Sequence, residues 1–136
     1  MILLDTSGLL AAIDSSQQRH QEAAAALLAA RGPLLLSPFV MAELVYLLAT
    51  RVGIDAELSF LDEVARGAYR LEQFAVEDVA AARSVVSQYR DADVGLADAS
   101  IVVLAKRYGV LDVLTLDRRH FDALRGPAGR RFHLTP

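Results

Sequence analysis

Cysteine is absent from this 136-residue chain. That removes a disulfide framework, a thiolate zinc site and a cysteine nucleophile together. Glycine and proline are sparse, at 8 and 4 residues, and no tract is low in complexity, which excludes collagen-like repeats and extended disorder. A basic excess is missing as well. The chain holds 17 Asp and Glu against 14 Lys and Arg, a net charge of −3, which disfavours a protein that simply coats nucleic acid. Met1-Ile-Leu-Leu-Asp5 has no basic n-region, and Asp5 interrupts the apolar run too early for a signal peptide. The most lipid-like stretch, residues 32–50, contains Pro38 and Glu43 and reads as a strand followed by a core helix. A cytoplasmic protein with no membrane contact is expected. With 54% hydrophobic residues, the length fits a single domain over residues 1–136 that buries roughly two-thirds of its unfolded surface.

The charges are unevenly distributed. Residues 1–105 hold 14 acids and 7 bases, whereas residues 106–136 hold 3 acids and 7 bases. A basic end beside an acid-rich region reads either as a solvated surface or as an anchor for an anion.

Short apolar runs at 2–4, 34–36 and 113–116 predict buried strands, and 69–74 and 132–134 predict two more, the last at an edge. Helical spacing fills the intervals. Helices are expected from about Ser7 to Ile13, and through 22–30 with Ser15 or Ser16 as cap and Gly32 as stop. Another runs from Pro38 to about Val52, capped by Ser37 and ended by Gly53. Further helices are expected from Asp55 to near Gly67, from Val76 to Tyr89, and from Leu96 to Tyr108, closed by Gly109. Strands alternating with helices imply a three-layer α/β domain, with a mainly parallel central sheet flanked by helices.

Four carboxylates stand out against this frame. Asp5 and Asp117 each follow an apolar strand, and in an open parallel sheet both would face the edge where ligands bind. Each also suits the N-cap of the next helix. Glu43 has Phe39, Val40, Leu44, Leu47 and Leu48 as helical neighbours, which places it on an apolar stripe. An unpaired charge there costs several kcal/mol or takes up a proton, unless the head reaches water or pairs with a base such as Arg51. Asp98, with Ile101, Val102 and Ala105 beneath it, is also on an inward face, in a first turn whose dipole favours an anion. Four such acids repel one another unless a cation sits among them. An all-oxygen set suits Mg²⁺ or Mn²⁺, an ion that bridges to phosphate and activates water.

Four blocks then carry a resemblance: Ile2-Leu3-Leu4-Asp5-Thr6-Ser7, Ser37-Pro38-Phe39-Val40-Met41-Ala42-Glu43-Leu44, Gly95-Leu96-Ala97-Asp98-Ala99, and Leu114-Thr115-Leu116-Asp117-Arg118-Arg119-His120-Phe121. Their order and separations resemble the PIN-domain family, specifically the VapC-type toxins of bacterial toxin–antitoxin pairs, over essentially the whole chain. The resemblance implies a PIN-like fold and a metal-dependent endoribonuclease, a hydrolase that cuts structured RNA such as tRNA or rRNA with metal-activated water. It implies product ends with a 5′-phosphate and a 3′-hydroxyl. Asp5, Glu43, Asp98 and Asp117 fall on the family's catalytic acids, with Asp5 and Asp98 as the most direct metal ligands. Thr6 or Ser7 falls where a hydroxyl supports the first carboxylate, and Thr115 where one holds water or phosphate. A homodimer, and a hetero-oligomer with a cognate antitoxin that pushes a basic side chain into the acidic pocket, are also implied.

Arg118 and Arg119 are placed to offer a cationic rim to RNA phosphates, or are plain surface residues. His120 is not required by the match and reads as structural or exposed beside Phe121. Asp91 and Asp93 read as loop or capping residues near the pocket. Without the four proposed metal-pocket acids the net charge changes from −3 to +1, so the acidity does not argue against an RNA substrate. Two other readings compete. One is an aspartyl-phosphate phosphoryl-transfer domain built on Asp5, which wants a lysine in the sheet where this chain has only Lys106. The other is a non-catalytic module whose acidic groove receives a basic peptide.

Overall fold

A computed structural model describes residues 1–136. Five short strands form one sheet: β1 (Ile2–Leu4), β2 (Leu34–Leu36), β3 (Arg70–Leu71), β4 (Asp112–Leu114) and β5 (His133–Thr135). Their order is β3-β2-β1-β4-β5, and every pairing is parallel. Seven helices flank the sheet: α1 (Thr6–Ile13), α2 (His20–Ala29), α3 (Pro38–Arg51), α4 (Ile54–Ala65), α5 (Val76–Gln88), α6 (Leu96–Tyr108) and α7 (Arg118–Ala123). Parallel strands need crossover connections, and helices covering the two faces explain why β1 and β2 read as unbroken apolar runs. Leu3, Leu4, Leu35, Leu36, Val113 and Leu114 are fully enclosed at the centre. None of the helices is long and apolar enough to cross a membrane.

The strand order sets the position of everything that follows. From β1 the chain winds outward to β2 and β3, then returns to place β4 on the other side of β1, so the order reverses between β1 and β4. In an open α/β sheet the crevice beyond the carboxyl ends at such a switch point is where ligands bind. The register aligns Leu4 with Leu114, and the Asp5 amide donates to the Leu114 carbonyl at 3.0 Å. Asp5 and Thr115, each one residue further on, therefore emerge side by side. The first turn of α1 sits so close to β4 that a Cβ on Gly8 would meet the Leu114 carbonyl oxygen at 2.5 Å.

Several local expectations change. Neither Ser15 nor Ser16 caps α2. The Asp14 carboxylate takes both the Ser16 amide and its hydroxyl, and α2 begins at His20 without a side-chain cap. Strand β3 contracts from 69–74 to two residues; the Glu72 amide still donates to the Leu36 carbonyl at 2.9 Å, and its carboxylate is buried among Arg70, Arg107 and Tyr108. The α3 start is as expected: the Ser37 hydroxyl accepts the Phe39 amide at 3.1 Å, with Pro38 in the first turn.

Candidate active site

At the switch point the carboxyl ends of β1 and β4 open into a cleft of about 500 Å³ lined by Asp5, Glu43, Asp98, Asp117 and His120, among others. Four elements bring the four acids together. Asp5 ends β1, Asp117 follows β4, and Glu43 and Asp98 come from α3 and the first turn of α6.

Asp5 is buried, with 5% of its surface exposed. It occupies the N-cap position of α1 yet makes no capping hydrogen bond. Instead Ser7 Oγ and Thr115 Oγ1 both donate to its Oδ2, at 2.6 and 2.7 Å. Those hydroxyls are themselves oriented by backbone donors, Leu116 N–H to Ser7 Oγ and Asp117 N–H to Thr115 Oγ1, each at 2.9 Å. The relay runs from backbone to hydroxyl to carboxylate and fixes the carboxylate's orientation. Burial still pushes the Asp5 carboxyl above the ordinary range, outweighing the hydroxyl bonds that favour its charged form. Of the two hydroxyls expected to support Asp5, Ser7 makes the contact. Thr6 lines the cleft with its own hydroxyl buried and unpartnered.

Asp117 behaves differently. It caps α7, its Oδ1 accepting the His120 amide at 3.1 Å, so here the capping role and a place in the cleft coincide. Asp98 has its carboxyl pushed up to about 7, first by burial and then by the charges of Asp5, Asp117 and Glu43, while His120 pulls the other way. Burial is the larger cause, and the neighbouring carboxylates add to it, so the site lacks compensating positive charge.

Glu43 corrects the sequence reading. It is exposed on the cleft wall rather than held on a buried stripe, so the desolvation cost expected for it does not arise. Arg51, offered as its partner, lines the same cleft two turns along α3 but enters no ion pair. Arg118 and Arg119 are exposed on α7 and are not among the residues lining the cleft; Arg118 reaches the Pro136 carbonyl at 3.5 Å. Asp91 and Asp93 are exposed in and after a short 3-10 turn, also outside the cleft lining.

His120 is the residue that the sequence reading left out. Its Nδ1 lies 2.8 Å from Asp117 Oδ2 and 3.2 Å from Asp98 Oδ2. The spacing of three from Asp117, on the first turn of a helix that Asp117 caps, was a visible signal that the two meet. The approach of Asp98 is tertiary and was not.

The donor set suits a divalent cation: ligand atoms of Asp98, Asp117 and His120 lie within 4.8 Å of one another, and the buried Asp5 carboxylate is close enough to raise the Asp98 carboxyl. Comparison with known proteins agrees with the architecture. The PIN-domain model matches residues 2–127. The chain is 45% identical over 135 residues to Ribonuclease VapC26 of Mycobacterium tuberculosis, covering 99% of this chain and all of that protein. Among solved structures, the Mycobacterium tuberculosis VapC20, described as a sarcin-ricin loop cleaving toxin, superposes with a TM-score of 0.81 at 20% identity. That match covers 86% of this chain and 90% of the other. FitAcB from Neisseria gonorrhoeae gives a TM-score of 0.59 at 22% identity, over 89% and 91% of the two chains. An all-parallel sheet with acids gathered at its switch point, in a chain matched from end to end, is thus a member of the PIN-domain family.

Proposed function

We propose that this chain is a divalent-metal-dependent endoribonuclease and the toxin of a toxin–antitoxin pair, cutting structured RNA such as tRNA or rRNA. The observation that carries the reading is the convergence of Asp5, Glu43, Asp98 and Asp117 on one cleft, with the Asp98 carboxyl pushed up to about 7. Full-length identity to a protein named a ribonuclease supports the choice of RNA.

Asp5 and Asp98 would hold Mg²⁺ or Mn²⁺ directly, with Glu43 and Asp117 around them. Bound there, the ion supplies activation of a water and neutralisation of charge developing on a phosphodiester. The chain's own groups do the positioning. Ser7 and Thr115 hold Asp5 so that its carboxylate needs no reorganisation as charge develops. Glu43, exposed on the wall, orients water or takes its proton. Arg51 faces RNA from the cleft, and Arg118 and Arg119 contact phosphates further out, all three positioning the backbone rather than reading sequence. The products carry a 5′-phosphate and a 3′-hydroxyl. An antitoxin that seats a basic side chain in the acidic cleft would neutralise the toxin, and the active assembly is a homodimer.

The test is cleavage of total cellular RNA by the purified chain with Mg²⁺ or Mn²⁺, beside Asp5→Asn. Cleavage by the first and none by the second is expected. No cleavage by either, with a basic peptide bound in the cleft, would favour the non-catalytic module. Aspartyl phosphorylation gains nothing from the fold, since Lys106 is exposed near the far end of α6 and outside the cleft lining.

A further inference from the structure

We propose that His120 supplies a nitrogen ligand to the divalent ion, beside Asp98 and Asp117, and that the site therefore selects Mn²⁺ over Mg²⁺. The inference rests on the metal-dependent reading and adds to it a residue outside the four acids.

The geometry is built by the chain itself. Asp117 caps α7, and the first turn of that helix folds His120 back onto its cap, with Nδ1 at 2.8 Å from Asp117 Oδ2. Asp98 arrives from α6 and places its Oδ2 3.2 Å from the same nitrogen. Two ligands at right angles on an ion with bonds of about 2.1 Å stand about 3.0 Å apart, and two opposite ones about 4.2 Å. The separations around Nδ1 straddle the first value, and the whole triad fits within 4.8 Å. Replacing the hydrogen-bonded contact with an ion thus asks for only small movements of three side chains already held by helix turns.

His120 Nε2 is buried with no partner. All polar contact of the ring is made through Nδ1, toward the two carboxylates. The choice of metal follows from ligand chemistry: Mg²⁺ holds to oxygen and water, whereas imidazole adds affinity for the first-row transition metals, Mn²⁺ among them.

Metal binding to the RNA-free protein tests this without reference to catalysis. Calorimetric titration should show Mn²⁺ binding at least about tenfold tighter than Mg²⁺. In His120→Asn, Mn²⁺ affinity should fall by about tenfold while Mg²⁺ affinity changes by less than about threefold. Equal affinities in the native protein, or unchanged selectivity in the variant, would overturn the proposal. So would a gain in affinity for both ions, which marks His120 as a competitor for the site. Because the variant could fail to fold, pulsed electron paramagnetic resonance of the native Mn²⁺-loaded protein gives an independent reading. Nitrogen-14 modulation from a bound imidazole is expected, and its absence counts against the ligand. Nitrogen coupling with no RNA cleavage would leave this inference standing and remove the nuclease reading; cleavage without the coupling would do the reverse.

Discussion

Replacing Asp98 with asparagine should make the metal-free protein more stable. The carboxyl of Asp98 is pushed up to about 7 in the folded chain, against 3.8 for an unperturbed aspartate. The folded state therefore keeps the proton to higher pH than the unfolded state does. Its contribution is most favourable below pH 3.8, declines as pH rises through the interval, and is fully lost above about 7. At 1.36 kcal/mol per unit, the shift corresponds to about 4 kcal/mol of destabilisation at pH 8, as an upper value. The side chain is only 16% exposed, so solvent screening removes a modest part of this. Asp98→Asn removes the ionisation and loses the contact to His120 Nδ1, a cost of about 1 kcal/mol. The net expectation in chelator is a gain of about 2–3 kcal/mol at pH 8, or roughly 7–12 °C in melting temperature for a chain of this size. At pH 5 the gain should shrink to about 1 kcal/mol or less. Urea unfolding followed by circular dichroism at several pH values measures it directly. A variant equal to or less stable than the native chain at pH 8, or a native chain whose stability does not decline between pH 5 and 8, would refute the claim that uncompensated charge is concentrated there. Adding Mn²⁺ should reverse the order, because an ion that binds only the folded native chain stabilises it by mass action.

Other perturbations separate scaffold from site. Gly8→Ala puts a methyl group 2.5 Å from the Leu114 carbonyl oxygen; displacing α1 from β4 should cost about 1–3 kcal/mol in thermal unfolding and also lower cleavage, since Ser7 moves with the turn. Glu72→Ala removes the buried centre of the Arg70, Arg107 and Tyr108 network and should cost about 2–4 kcal/mol. RNA cleavage by that variant, measured below its melting temperature, should stay within about twofold of native, because Glu72 lies outside the cleft lining. Arg51→Gln should weaken RNA binding and reduce the slope of log affinity against log salt by about 0.7, the value for one phosphate contact on a single strand.

Much of this could be read from the chain alone, and for identifiable reasons. Ile2-Leu3-Leu4 and Leu34-Leu35-Leu36 are strands buried on both faces, where composition and environment coincide, and Ser37-Pro38 is a helix start with a side-chain mechanism. The positions of Asp5 and Asp117 follow from strand ends and sheet direction, both local signals. What stayed hidden depended on neighbours distant in sequence. Glu43 looked inward because its helical neighbours are apolar, yet whether a stripe's margin is covered depends on what packs beside α3. The Ser15 or Ser16 cap was lost because α2 begins only at His20, with Arg19 in the cap position, while the Ser16 amide and hydroxyl turn back to Asp14. His120 joined the site because α6 delivers Asp98 to the ring, a meeting of residues 22 apart in the chain.

Everything above turns on whether the acids at the switch point use a bound cation to cut RNA. The most direct measurement is cleavage of a defined RNA by the native chain with Mn²⁺ or Mg²⁺, with and without chelator, with the new ends mapped. The account predicts cleavage that chelator abolishes and added metal restores, leaving 5′-phosphate ends and lost in Asp5→Asn. Cleavage that persists in chelator, or that leaves 2′,3′-cyclic phosphate ends, would contradict it.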